Sequence, residues 1–422
     1  MFAQSKLFSG NQNGGTPGLS GRDNPLARQR LQWLELRNPA TGKIPNDIRE
    51  KELKFAKTLP TREELAMKKS GTNNFHTIQN YNWTQRGPYN IGGRTRALAI
   101  DVNDGNTILA GGVNGGMWKS TDDGATWSEK TSPGDLQSVT CIAQDTRTGK
   151  TNTWYYGTGE FTILPVGVVN SATAGVGLDS SLMFLGNGIF KSTDDGNSWS
   201  VLPSTQTPGE ESFGPFSVVY NIVTDPANIN QDEILAATAA GIMHSSDGGA
   251  TWDTTLPNFY GLYSNVSVTS KGVFYAVLNY GSFPIFGGIF RSTDGVNWTD
   301  ITPNSFPVNT NQTAIGIAPS NENVVYFLSD TSSGFTDGHI LWKYTYLSGD
   351  GSGSGGSWDN RSTNLPNEGT IGFFFDSQWG YCLSISVKPD NENTVFVGEI
   401  NLYRSTDGFA TSSNTTTLND TS

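Results

Sequence analysis

Five short runs in this sequence set a hydroxyl, a carboxylate, a glycine and, in most, an indole at nearly fixed spacing. The pattern Ser-x-Asp-x-Gly-x-Thr/Ser-Trp is complete at Ser120…Asp122…Gly124…Trp127, Ser192…Asp194…Gly196…Trp199 and Ser245…Asp247…Gly249…Trp252. It is one residue shorter at Ser292…Asp294-Gly295…Trp298 and lacks its Trp at Ser405…Asp407-Gly408. A hydroxyl beside a carboxylate can serve acid–base chemistry, but a catalytic residue is needed once per site, not once per repeat. A tight turn recurs in every unit. There the Asp and Ser oxygens accept turn N–H groups, Gly supplies positive φ, and the Trp covers the turn. Asp122, Asp194, Asp247, Asp294 and Asp407 are therefore read as structural.

The carboxylates that could carry chemistry are Glu160, Asp376 and Glu399, which lie at strand ends away from these turns. A pair of carboxylates about 5–10 Å apart can hydrolyse a glycosidic bond. Arg94 and Arg96 are candidate anion clamps, and Arg94 could equally anchor the leader or a neighbouring blade. Tyr260, Tyr263, Phe375 and Trp379 stand in aromatic stretches beside carboxylates and amides, a combination suited to sugar or peptide ligands. Packing between repeats is the plainer reading for any single one of them. His76, His244 and His339 show no ligand spacing, so no metal site is expected. The Gly/Ser loop around Asp350 reads as a turn rather than a Ca²⁺ site, and no cofactor is expected.

Stepping outward from the turns, six segments share one plan: a short apolar strand, a loop, then a second apolar strand ending in a basic residue and a hydroxyl. Examples are Thr107–Gly111 with Gly116–Ser120 and Val273–Ala276 with Gly288–Ser292. Equivalent hydroxyl positions are 47 to 72 residues apart. That spacing fits four-stranded blades with unequal insertions. The expected fold is an all-β propeller of six or more blades, over residues 81–422. The variable loops opposite the Ser-Asp turns, the longest from Phe161 to Gly186, would build any ligand site.

Residues 1–80 form a separate extension, flexible at first and then carrying short α-helices. Asn24-Pro25 opens one helix, residues 46–57 form another, and Thr61-Arg62-Glu63-Glu64 is a capping box. Leu26, Leu31 and Leu34 in the first helix and Ile48, Leu53 and Phe55 in the second are the apolar positions expected to be buried. This extension holds 13 Lys+Arg and 7 Asp+Glu, against 14 and 32 in the remainder, so the net −12 divides into a basic leader and an acidic body. The acidic body argues against nucleic-acid binding, and no apolar run is long enough to span a bilayer as a helix. Cys141 and Cys382 read as two buried, inert thiols.

The repeat resembles that of the Asp-box, or BNR, β-propellers, which include sialidases, xyloglucanases and sortilin-type receptors. The run Gly87-Pro88-Tyr89-Asn90-Ile91-Gly92-Gly93-Arg94-Thr95, together with Gly157-Thr158-Gly159-Glu160, is similar to large secreted propellers of Bacteroidetes-type bacteria. That resemblance implies a secreted or cell-surface protein, with type IX secretion or outer-membrane components among its partners. It suggests a module binding a glycan or an extracellular protein, with a glycoside hydrolase as the alternative. Sialidases need three clustered arginines and a Tyr-Glu pair, and only seven Arg follow residue 80. Xyloglucanases use two facing propellers, and one is legible here. The sequence passes the last Ser-Asp turn without a Trp-bearing strand. The last blade is thus expected to be incomplete, closed either by a longer chain or by a strand around Asn82-Trp83-Thr84.

Overall fold

The computed structural model describes residues 94–418 except 114, 132–137, 162–182, 207–213, 259–262, 280–286, 308–309, 332–337, 367–376 and 378–379. Scattered residues between 33 and 59 are also described. The chain divides into two compact units, Met1–Trp83 and Thr84–Ser422. In the first, Trp33-Leu34 and Lys54–Ala56 are helical. Leu34 and Phe55 are exposed, contrary to expectation; Leu26, Leu31, Ile48 and Leu53 lie outside the described residues.

The second unit is a β-propeller of six four-stranded antiparallel blades. The innermost strands, blades 1 to 6 in order, are Thr95–Ile100, Val139–Gln144, Val219–Thr224, Ser264–Val268, Thr313–Ile317 and Ser384–Val387. The second strands include Trp154–Thr158, Ile234–Thr238, Phe274–Leu278 and Val324–Asp330, every residue of which is buried. Each is covered on both faces by neighbouring blades, which is why these segments read as continuous apolar runs rather than alternating ones. The outermost strands are short and mostly exposed, as at Ser128–Glu129 and Asp253–Pro257. Blade 6 has its own fourth strand: Thr415–Thr417 pairs with Tyr403–Ser405 although it carries no Trp.

The core is divided among the interfaces between blades. Leu109 and Met117 of blade 1 pack with Trp154, Tyr156 and Phe190 of blade 2. Tyr155 and Ile189 meet Ile234, Ala236 and Met243 of blade 3. Comparable clusters join blades 3 and 4, 4 and 5, and 5 and 6.

The Ser-Asp turns close the ends of the third strands. Ser192 Oγ donates to Asp194 Oδ1 at 2.8 Å and accepts Gly196 N–H at 2.9 Å. Asp194 accepts Ser198 N–H at 2.9 Å and its hydroxyl at 2.5 Å. The same bonds recur around Asp122 and Asp247. Trp127 and Trp252 each donate an indole N–H to the turn glycine's carbonyl. These donors and acceptors are thereby settled within the turn itself.

Candidate functional site

The starts of the inner strands gather on the face opposite these turns, around the channel. Arg94 and Arg96 flank the start of blade 1, and Glu160 follows the second strand of blade 2. Two glycines let blade 2 deliver that carboxylate. A Cβ on Gly157 would lie 2.6–2.8 Å from Val219 and Cys141 side-chain atoms, and Gly159 has φ +90°. Gly157 leaves room for those side chains, and Gly159 for the backbone of Ser217 and Gly186.

Arg94 Nη2 donates to Glu160 Oε2 at 2.6 Å, and Arg96 Nε lies 3.9 Å from Glu160 Oε1. Both guanidiniums also lie over the Tyr381 ring, at 4.8 and 4.5 Å from its centroid, as cation–π partners. Arg96 further donates to the Tyr381 carbonyl. Burial and then the adjacent Glu160 carboxylate push the Tyr381 hydroxyl above its ordinary range. A buried network fixes the segment carrying Tyr381. His339 Nε2 is 2.7 Å from Ser377 Oγ and 3.7 Å from Asp330 Oδ1, and Ser377 Oγ accepts Gly380 N–H.

Beside this cluster lies a cavity of 260 Å³ to which each blade contributes at the start of its inner strand. Its polar lining includes Arg96, Tyr220, Asn221, Tyr263, Asn265 and Gln312. The Tyr220 and Tyr263 rings are 4.7 Å apart, and burial pushes the Tyr263 hydroxyl up to about 12. Tyr220 is shifted the same way by burial and by Tyr263, and its hydroxyl is buried with no hydrogen-bond partner among the described residues. Asn221 donates to Asn265 Oδ1 at 2.9 Å, and Asn265 donates to the Thr313 carbonyl at 3.0 Å, a ladder across blades 3, 4 and 5. Burial pushes the Cys141 thiol up to about 12, so it is a poor nucleophile. Cys382 is only half-buried, not buried as the sequence suggested.

Arg94, Arg96, Glu160 and Tyr263 thus lie on the expected face, and Arg94 anchors the neighbouring blade. Glu399 accepts Ile400 N–H and the Asn401 amide, which caps the blade 6 hairpin. Asp376, Tyr260, Phe375 and Trp379 lie outside the described residues. Tyr220, Tyr381, Asn221 and Gln312 were not anticipated. Their shared signal is position: each stands at or just before the start of an inner strand, as Arg94 and Arg96 do. At Asp350 the carboxylate accepts the Ser352 N–H and hydroxyl within its own turn. No group of three or more His, Cys, Asp or Glu suited to a metal occurs among the described residues.

No protein-family model and no curated protein matches this chain. Among solved structures it is similar to an ancestral GH74 enzyme, at 19% identity over 74% of this chain and 36% of that one, with a TM-score of 0.51. It is also similar to the GH74 enzyme of Niastella koreensis, at 20% identity over 75% of this chain and 46% of that one, TM-score 0.49. For YCF48 from Cyanidioschyzon merolae the values are 16% identity, 78% and 86% coverage, and a TM-score of 0.46. The chain spans about a third to a half of the length of the two GH74 proteins. The likeness extends to the propeller fold.

Proposed function

We propose that this protein is a secreted or cell-surface propeller that binds a glycan or an extracellular protein segment at the mouth of its channel. The observation that carries the reading is the Arg94–Arg96–Glu160–Tyr381 cluster beside the polar cavity. Half-exposed Arg94 offers hydrogen bonds to an incoming ligand. Convergent polar groups in a concave site fed by every blade are what a binding pocket needs. The repeat's resemblance to secreted Asp-box propellers supports export, with the type IX machinery as the proposed route.

A glycoside hydrolase is the second reading, favoured by a single feature: the Glu160 carboxylate lies in the Arg94–Arg96–Tyr381 cluster of a propeller similar to a GH74 structure. Against it, Glu160 is already engaged by Arg94 and Glu399 by its own hairpin.

The two readings separate in one set of assays. A glycan array and a panel of extracellular polypeptides are probed with the native chain and with an Arg94→Ala/Arg96→Ala double variant. Binding lost in this variant but kept in an equally destabilised variant elsewhere, such as Leu235→Ala, supports the module; equal binding by the native chain and the double variant overturns it. Reducing-end release from polysaccharides, abolished by Glu160→Gln, would transfer the site to the hydrolase reading. Secretion is checked by fractionating a host with and without its type IX machinery.

A further inference from the structure

Blades 1 to 5 each bury the face they turn towards the next blade. Met117, Ile189, Ile242, Ile289 and Leu341 occupy one register position in successive third strands, and each is fully buried. Leu402 holds that position in blade 6 and is 42% exposed. Beside it Phe396 is only partly buried, whereas its counterparts Leu109, Tyr155, Leu235, Tyr275 and Tyr326 are buried to within 1%.

The opposite face of blade 1 shows the same vacancy. Trp118 is 38% exposed, where its counterparts Phe190, Met243, Trp342 and Tyr403 are buried by the preceding blade and Phe290 is partly buried. Leu98 and Ile100 on that face are 66% and 56% exposed. Two apolar sheet faces, one on each side of a single gap, are therefore left uncovered by the described residues between blade 6 and blade 1.

A polar device repeats the pattern. Lys119 reaches the turn of the next blade, donating to the Asp195 carbonyl and carboxylate at 2.6 and 2.9 Å. Lys191 donates to the Gly248 carbonyl at 3.3 Å, and Arg291 to the Asp350 carbonyl at 3.4 Å. Arg404 stands at the equivalent position of blade 6; its Nε, like that of Arg291, is buried with no hydrogen-bond partner among the described residues, and unlike Arg291 it meets no turn carbonyl of a next blade among them.

We propose that the gap between blades 6 and 1 is a docking slot for one further four-stranded blade of this same repeat, contributed by this protein's own polypeptide. Apolar contact with Phe396 and Leu402 on one side and with Leu98, Ile100 and Trp118 on the other would repeat the five interfaces already formed. The occupant's turn would offer Arg404 the carbonyl that the other turns offer Lys119, Lys191 and Arg291. The sequence holds a surplus copy of the motif's closing run: Asn82-Trp83-Thr84 matches Asn297-Trp298-Thr299 of blade 4, while all six blades have a fourth strand. A blade elsewhere in the polypeptide therefore has part of its sequence in hand. Leu98 also lines the channel cavity, at the inner edge of the slot, but the apolar faces carry the proposal, which does not rest on the binding function above.

The test is thiol labelling of Leu98→Cys and Leu402→Cys, each in a Cys382→Ser background, with Leu341→Cys as the buried control. In the 422-residue chain both slot cysteines should label more than about tenfold faster than the control; equal protection overturns the proposal by showing a closed ring. A second arm appends a copy of residues 264–296, three strands and a turn of blade 4, after Ser422. The slot cysteines should then become protected by more than about tenfold and Arg404→Ala should partly reverse this; unchanged labelling overturns the proposal. Protection that instead grows with the concentration of the unextended chain, alongside a dimer by light scattering, also overturns it and assigns the slot to a second copy.

Discussion

Arg94 Nη2 lies 2.6 Å from Glu160 Oε2, so a guanidinium at the start of blade 1 is held by a carboxylate at the end of a strand in blade 2. Glu160 is 4% exposed and Arg94 49%, so the carboxylate is the member that depends on the pair. Glu160→Gln is expected to lower stability by about 1–2 kcal/mol, a figure limited by the solvent around Arg94. The same change removes negative charge beside the Tyr381 hydroxyl. Its titration should therefore move down, because the carboxylate is among the causes that raise it. An ultraviolet titration that leaves the tyrosine profile unchanged would contradict the placement.

Gly159 adopts φ +90°, and a Cβ there would meet the Ser217 carbonyl oxygen and lie 2.7 Å from the Gly186 nitrogen. Gly159→Ala should cost about 2–3 kcal/mol, from a left-handed backbone and overpacking together. Chemical denaturation measures this directly. The strain falls next to Glu160, so ligand binding at the channel mouth should weaken more than in a variant of equal instability elsewhere, such as Leu235→Ala.

Within the turns, Ser192 is the buried partner and Asp194 the exposed one. Ser192→Ala leaves the Gly196 N–H buried without its acceptor and is expected to cost about 1–3 kcal/mol. Asp194→Ala should cost less, about 1 kcal/mol, because its donors can turn to water. Neither should alter ligand affinity, since both lie on the face away from the channel mouth. A thermal melt ranks the two, and the reverse order would refute this account of the turn.

Hydrogen bonds from the Ser198 hydroxyl hold Asp194 at about 2, and those from the Thr251 hydroxyl do the same for Asp247. A carboxylate depressed in the folded state stabilises it fully above the unfolded value, near 4, and loses that contribution as pH falls towards 2. Melting temperature should therefore be level from neutrality to about pH 5 and fall between pH 4 and 2. In an Asp194→Asn/Asp247→Asn variant the fall over that window should be shallower. A profile unchanged by the substitutions would show that other groups govern acid unfolding.

Much of the architecture is legible in the chain because it repeats. The strand pairs ending in Lys119-Ser120, Lys191-Ser192 and Arg291-Ser292 place third strands, and the following Asp and Gly place the turns by bonds within eight residues. Local chemistry of that kind needs no knowledge of distant segments. The Thr415–Thr417 strand was less visible, since its usual Trp is missing and strand pairing alone defines it. The candidate site was legible only in part. Arg94, Arg96 and Glu160 stood out by type, whereas Tyr220 and Tyr381 look like ordinary strand aromatics until the blades are arranged in a ring.

By itself, then, the sequence determined the repeating unit, the turn chemistry and the all-β class, each written in contacts between near neighbours. The tertiary structure decided which side chains meet. Arg94 and Glu160 are 66 residues apart, and Arg96 and the Tyr381 carbonyl 285, and only the circular arrangement of blades brings them together. It also decided which apolar faces stay open. Leu341 and Leu402 are the same residue at the same repeat position, and burial separates them because Leu341 has a blade against it and Leu402 has none among the described residues.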